Sequence, residues 1–381
     1  MCRSELAREK TIGDTGFQKR CVIVNDFRER ARSYRQSAYF PGDTMKAIAY
    51  YASLPITDPN ALQDIELPAP VAGPRDLLVE VKAISVNPVD TKVRQNVAPE
   101  NGAAKVLGWD VAGVVKAVGS EVTLFKAGDK VFYAGSLVRP GGNSELHTVD
   151  ERIVGHMPKS LGFADAAALP LTAITAWELL FERLQVREGK EDQGQSLLIV
   201  GAAGGVGSIL TQLAHQLTAL KVIGTASRPE TQAWAKALGA DLVIDHSQPL
   251  SEALKTAGHP HVTHVASLTQ TEHHLDQLVE ALQPQGKLAL IDDPKALDVS
   301  KLKRKSLSLH WEFMYTRSMF ETPDMIEQHN LLNRVADLID AGILKTTVGE
   351  HFGVINAANL RRAHGLLESG KAKGKIVLEG F

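Results

Sequence analysis

Hydrophobic and polar positions divide the chain into two patterns. From Met45 to about Leu161, apolar residues come in short runs: Leu77-Leu78-Val79-Glu80-Val81-Lys82-Ala83-Ile84, Val111-Ala112-Gly113-Val114-Val115-Lys116-Ala117-Val118 and Lys130-Val131-Phe132-Tyr133-Ala134. Gly and Pro break them at Pro68-Ala69-Pro70, Gly73-Pro74 and Gly128-Asp129. Short strands punctuated in this way predict a small, partly open β-barrel. From Phe163 to about Asp293, strand-like runs alternate with helical spacing, which predicts a parallel sheet. Asp165–Pro170 and Thr172–Leu184 read as helical, and His264–Ser267 and Lys287–Ile291 read as late strands of that sheet. Beyond Leu307 come an aromatic segment, helices through Leu331–Ala341 and Ala357–Ser369, and a last strand, Lys375-Ile376-Val377-Leu378. That strand is expected to return to the first domain, so that the parallel sheet is inserted within it.

The sharpest local signal is the turn Gly201-Ala202-Ala203-Gly204-Gly205-Val206-Gly207. The apolar run Leu197–Val200 leads in, and Ser208–Ala214 leads out with helical spacing. Strand, glycine turn and helix in that order let backbone approach a pyrophosphate and aim a helix N-terminus at its charge. Glycine-rich turns alone are weak evidence, but here the context continues. Lys221–Thr225 reads as the next strand, a helix runs through Ala233–Leu238 to a stop at Gly239, and Leu242-Val243-Ile244 is a third strand. This βαβαβ unit predicts dinucleotide binding, and so redox chemistry.

Composition narrows the picture. At 381 residues the chain has material for two cores, and its net charge of −2 points to neither a nucleic-acid nor a membrane partner. No apolar stretch stands out as long enough to cross a bilayer. The only cysteines are Cys2 and Cys21, so a disulfide framework is not expected and a cytoplasmic location is the simplest reading. Residues 1–44 are Arg-rich and polar, without periodicity or an apolar leader, and acids such as Glu5, Asp14 and Glu29 argue against a transit peptide. We expect this segment to be a disordered or loosely docked extension upstream of a functional start at Met45. His259-Pro260-His261-Val262-Thr263-His264 and His273-His274 are expected at the surface rather than on a metal.

The order of motifs resembles the medium-chain dehydrogenase/reductase superfamily, in its quinone oxidoreductase branch of zinc-type alcohol dehydrogenase-like proteins. The residues that carry this are Val86–Lys92, Gly108-Trp109-Asp110 with Val111–Val115, Phe125–Val131, the glycine turn, Leu238-Gly239-Ala240-Asp241 and Gly374–Leu378. The resemblance implies an α/β protein with a GroES-like β-barrel catalytic domain and a Rossmann doubly wound parallel sheet, an active site in the cleft between them, and a homodimer. The expected division is an extension over 1–44, a GroES-like domain over 45–162, a Rossmann domain over 163–306 and a return to the catalytic domain over 307–381.

Zinc members of the family carry Cys where this chain has Asn87, and Gly-His-Glu where it has Gly108-Trp109-Asp110. Catalytic zinc takes about three protein ligands of N, S or O type. Trp109 offers none, the Asn87 amide is a poor one, and a four-cysteine structural site is absent. No metal is expected. Without a Lewis acid, acceptors that spread incoming charge by conjugation, namely quinones and α,β-unsaturated carbonyls, are easier to reduce than isolated ketones.

The second Rossmann strand ends Thr225-Ala226-Ser227-Arg228, with no acid to repel a 2′-phosphate, so NADPH is favoured. Cofactor-binding candidates are Thr172, Gly201, Ala203, Gly204, Gly205, Val206, Gly207, Ser227 and Arg228. Catalytic candidates are Asn87, as a donor to a carbonyl, Asp90, Lys92 and Tyr50. Asn-Pro and Asp are also ordinary turn formers, and Tyr51 leaves the tyrosine register open. Substrate-facing candidates are Trp109, Tyr133, Trp311 and Phe313, the last two in an aromatic segment that also suits a domain interface. The expected function is hydride transfer from NADPH to a quinone or enone; the alternatives are a zinc alcohol dehydrogenase and a non-catalytic NADPH-binding or sensing protein.

Overall fold

A computed structural model describes residues 44–381, and the expectation for the N-terminal extension lies outside the described residues apart from Thr44, which opens the first strand. The first domain contains β1 (Thr44–Tyr50), β2 (Gln63–Pro68), β3 (Asp76–Val86), β4 (Lys105–Val106), β5 (Val111–Val118), β6 (Lys130–Tyr133), β7 (Leu146–Asp150) and β8 (Val154–His156). The inserted sheet follows with β9 (Ser196–Val200), β10 (Lys221–Thr225), β11 (Leu242–Ile244), β12 (Val262–Ser267), β13 (Leu282–Leu290) and β14 (Ser308–Trp311). The chain then returns through β15 (Val348–His351) and β16 (Lys375–Glu379). Four helices bear on the site: α1 (Pro88–Asn96), α2 (Phe163–Ala167), α3 (Pro170–Trp177) and α4 (Gly205–Leu217).

β3 organises the first domain. Its first half alternates: Leu77, Val79 and Val81 are buried, while Glu80 and Lys82 meet on the outer face at 2.6 Å. From Ala83 to Val86 every side chain is buried, as in a strand covered on both faces, while β5 pairs along one edge and β16 along the other. Three neighbouring strands therefore converge. Val86 of β3 pairs with Ile376 of β16, and Ile84 pairs with Val111 of β5. Their ends carry Asn87, Lys375 and Asp110 to one place.

The second sheet is parallel, in the order β11-β10-β9-β12-β13-β14. Its strand order reverses between β9 and β12, and the crevice outside such a reversal is where ligands bind in open α/β sheets. Leu197–Val200 of β9 is buried throughout, as a strand covered on both faces requires. The molecule thus has the GroES-like and Rossmann architecture expected from the sequence.

Four details correct the sequence reading. The parallel sheet runs past residue 306: β14 pairs with β13, Leu290 opposite Trp311, and so belongs to the Rossmann sheet. It is a short edge strand without alternation, which the pattern does not mark. Second, the helical turns Phe163–Arg183 are long and apolar enough to cross a membrane, but 83% of their most apolar window is buried inside the protein. They form a core helix, which ends in a wide π-turn where Leu184 N–H donates to Leu179 O. Third, His264 lies within β12 and is buried, its ring held by Thr263 Oγ1 at 2.8 Å. Fourth, His274 is also buried rather than exposed, on the inner face of the helix Thr271–Ala281.

Candidate active site

The glycine turn lies at the mouth of the crevice. Gly201 has φ +85°, a conformation that favours glycine. A Cβ on Gly207 would stand 2.3 Å from Gly201 O, so helix and strand could not pack as they do. α4 begins with Gly204 at its N-cap and no side-chain cap, leaving first-turn N–H groups for an anion. A Cβ on Gly205 would meet Lys375 Cδ at 2.9 Å and Thr172 Cγ2 at 3.1 Å, so both side chains close over the turn. Gly374 N–H donates to Ala203 O at 2.9 Å, tying the C-terminal segment to the turn. Val206 is half-buried in the first turn of α4. Bare amides and close backbone fit the pyrophosphate of a dinucleotide.

Beneath the turn lies a buried polar junction. Lys375 Nζ donates to Asp110 Oδ2 at 2.9 Å, to Val86 O at 3.2 Å and to Asn87 Oδ1. Asn87 Nδ2 donates to Asp110 Oδ2 at 2.8 Å and to Ser85 O at 3.4 Å. Asp110 Oδ1 accepts from Leu171 N–H at 2.8 Å, capping α3 from another strand. Asp90 reaches back to Asn87 N–H at 2.7 Å, one half of a capping box for α1, and accepts Gly108 N–H at 3.0 Å. Gly108 cannot carry a side chain: its φ is +107° and a Cβ would stand 2.2 Å from Asn143 Oδ1. Asn87, Asp90, Asp110 and Lys375 are each at most 3% exposed. Burial pushes Asp90 up to about 7, against its two N–H bonds and Lys375. Burial likewise raises Asp110, with Lys375 opposing.

This geometry changes the roles of several candidates. Both Asn87 amide hydrogens are committed, so Asn87 is not a donor to a substrate carbonyl. Tyr50 is buried, and its hydroxyl donates to Val97 O at 2.7 Å and Val93 O at 3.3 Å, so it anchors the end of α1 instead of supplying a proton. Trp109 is buried with its indole N–H on Ser136 O at 3.2 Å, and Tyr133 is buried with its hydroxyl on His147 Nδ1 at 2.9 Å. Both are core side chains rather than substrate walls. Thr172 donates to Leu169 O at 3.1 Å, which leaves its oxygen able to accept. Lys92 is half-exposed on α1 and pairs with Asp293, beyond β13, at 2.8 Å across the cleft. Trp311 is exposed at the C-terminal end of β14, and Phe313 is half-buried against Tyr315.

The adenosine end is looser. Ser227 is exposed after β10. Arg228 is partly exposed, and its guanidinium meets Glu230 at 2.9 Å and Lys371 O at 3.0 Å. Lys373 Nζ lies over the Trp234 ring at 4.7 Å. This C-terminal contribution was not legible in the sequence.

Zinc does not fit the residues present. Among the described residues no group of three or more His, Cys, Asp and Glu could hold a metal ion. At the positions that the resemblance compares with zinc ligands, the Asn87 amide and the Trp109 indole are spent on protein partners, and the Lys375 ammonium occupies the junction.

Residues 73–174 match the alcohol dehydrogenase GroES-like domain, and residues 238–378 match the zinc-binding dehydrogenase domain. A zinc-type alcohol dehydrogenase-like protein of Staphylococcus aureus is 38% identical over 336 residues, covering 88% of this chain and 99% of its own. A crystal structure from Rhizobium etli, provisionally assigned as a zinc-dependent alcohol dehydrogenase, is 55% identical, with TM-score 0.86 over 89% of this chain and 99% of its own. The Escherichia coli quinone oxidoreductase complexed with NADPH is 26% identical, with TM-score 0.74 over 88% and 99% of the two chains. The chain is an oxidoreductase of the medium-chain dehydrogenase/reductase superfamily and belongs to its zinc-type alcohol dehydrogenase-like proteins.

Proposed function

We propose that this protein reduces quinones or α,β-unsaturated carbonyls with NADPH and without zinc. The observation that carries the reading is the closed hydrogen-bonded junction in which Asn87 and Asp110, within the segments compared with those of the zinc members, are bonded to each other and to Lys375. A buried ammonium there repels a divalent cation, and the Asn87 and Asp110 side-chain oxygens all accept from protein donors. Without a Lewis acid the acceptor must spread its own charge, which conjugation does.

The turn Gly201–Gly207 and the N-terminus of α4 would hold the pyrophosphate. The Thr172 oxygen would accept from the carboxamide, and Ser227 and Arg228 would face the 2′-phosphate. When bound, the reduced nicotinamide supplies a hydride. The junction keeps α1, α3 and the turn in register, and the Lys92–Asp293 pair bridges the cleft mouth. Trp311 and Phe313 offer apolar surface to a flat acceptor. Arg228 must exchange Glu230 for the phosphate, which a doubly charged partner favours over a single carboxylate. A homodimer in the cytoplasm belongs to the same reading.

The test is NADPH oxidation against a panel of quinones, enones and simple ketones. The reading expects turnover with conjugated acceptors and little with unconjugated ketones. Activity confined to simple ketones or alcohols would overturn it.

A further inference from the structure

Reduction of a conjugated acceptor needs a proton as well as a hydride, or at least a donor to the oxygen that gains charge. The donors first considered are spent. Asn87 Nδ2, Tyr50 Oη, Trp109 Nε1, Tyr133 Oη and Thr172 Oγ1 all have protein partners. Lys92 is held by Asp293 at the rim.

Two buried hydroxyls of this region, Ser85 Oγ on β3 and Tyr315 Oη, have no partner, and the phenol is the more acidic donor of the two. Tyr315 is 2% exposed, and its hydroxyl has no hydrogen-bond partner. An unpartnered buried hydroxyl costs about 1–3 kcal/mol and calls for a reason. The surrounding chain is firmly placed. Tyr315 O accepts from Met319 N–H at 2.8 Å, and its ring tilts against Phe313 with centroids 5.6 Å apart. Ser136 Oγ donates to Ser318 O at 3.4 Å, and Ser136 O receives the Trp109 indole, so this segment is fastened to the loop beside Trp109. Burial, then the charges of Asp90 and Asp110, raise the phenol well above its ordinary value.

We infer that Tyr315 is a catalytic residue that donates its phenolic hydrogen to the carbonyl oxygen of the conjugated acceptor. This rests on the reductase reading above. As the hydride adds to the conjugated carbon, the π electrons move to the carbonyl oxygen. The phenolic O–H breaks as that oxygen takes the proton, and the phenolate regains a proton from water. The phenol stays protonated throughout the neutral range, so its O–H is in place as a donor when the oxygen becomes basic. An acceptor held by Tyr315 would lie beside Phe313, whose ring packs on it, which favours a flat carbonyl compound.

Tyr315→Phe removes one oxygen and leaves the ring, so the core keeps its shape. We expect kcat with a quinone or enone to fall by about 100-fold while the NADPH KM stays within about twofold. Binding of 4-nitrophenolate, an oxyanion probe that needs no turnover, should weaken by about tenfold. Thermal stability should hold or rise, because an unsatisfied hydroxyl has gone. An unchanged kcat and unchanged 4-nitrophenolate affinity in a folded variant would overturn the assignment. So would a loss of kcat that runs in step with lost thermal stability and lost NADPH affinity, since that is a packing role. If the wild-type enzyme reduces no conjugated acceptor, the reductase reading fails; if it does and Tyr315→Phe matches it, only the role of Tyr315 fails.

Discussion

The two ends of the candidate cofactor site are built on opposite principles. At the nicotinamide end, Asn87, Asp90, Asp110 and Lys375 are buried and bonded to one another by groups on three adjacent strands and α1. At the adenosine end, Arg228 reaches through solvent to Glu230 and a backbone carbonyl, and Ser227 is open. A buried charge network has one arrangement, because any unpaired member is costly. An exposed pair is worth little and rearranges at small cost. The first suits a surface that must present fixed geometry to a reaction. The second suits a surface that tells one phosphate from none.

The largest expected effect breaks the buried end. Lys375→Met leaves Asp110 without its cation, and should cost about 3–5 kcal/mol in urea unfolding, with NADPH binding weakened as the junction beneath the turn loosens. A variant as stable as wild type would show that the junction is not a coupled unit.

A smaller effect is a pH dependence confined to that end. Asp90 sits at about 7 in the folded protein, above its ordinary value of 3.8. Its contribution is therefore full below about 4, declines as pH rises, and is gone above about 7, with a slope of at most about 1.4 kcal/mol per pH unit. Burial shifts Asp110 in the same direction. Asp90→Asn should flatten the stability profile between pH 4 and 7, whatever its absolute stability. An unaltered slope would assign the dependence to other groups.

The smallest effect probes the loose end. Arg228→Ala should raise the NADPH KM about tenfold more than the NADH KM, and leave urea unfolding within error. The NADPH preference should also weaken as salt rises. Equal effects on both cofactors would remove Arg228 from the selectivity.

The same contrast explains what the sequence could reveal. The strands around the junction were legible because β3 and β5 alternate or run apolar, and the glycine turn was legible because its spacing follows from backbone sterics. The junction itself was not. Lys375 looks like a polar residue at the start of a last strand, and only the pairing of β16 with β3 brings it onto Asn87 and Asp110. Asn87 was read as a free donor because a sequence does not show which partners consume an amide. Tyr315 lay within the aromatic segment already singled out, but its neighbours along the chain conceal that its buried hydroxyl is left unpartnered. Edge strand β14 carried too few residues for its periodicity to speak.

The central claim is that hydride delivery here needs no metal. The direct test is the rate of NADPH oxidation with a conjugated acceptor by protein stripped with a strong chelator, measured before and after zinc is restored. The account predicts the same rate in both states, equal to that of the untreated protein. A rate lost on stripping and recovered with stoichiometric zinc would contradict it.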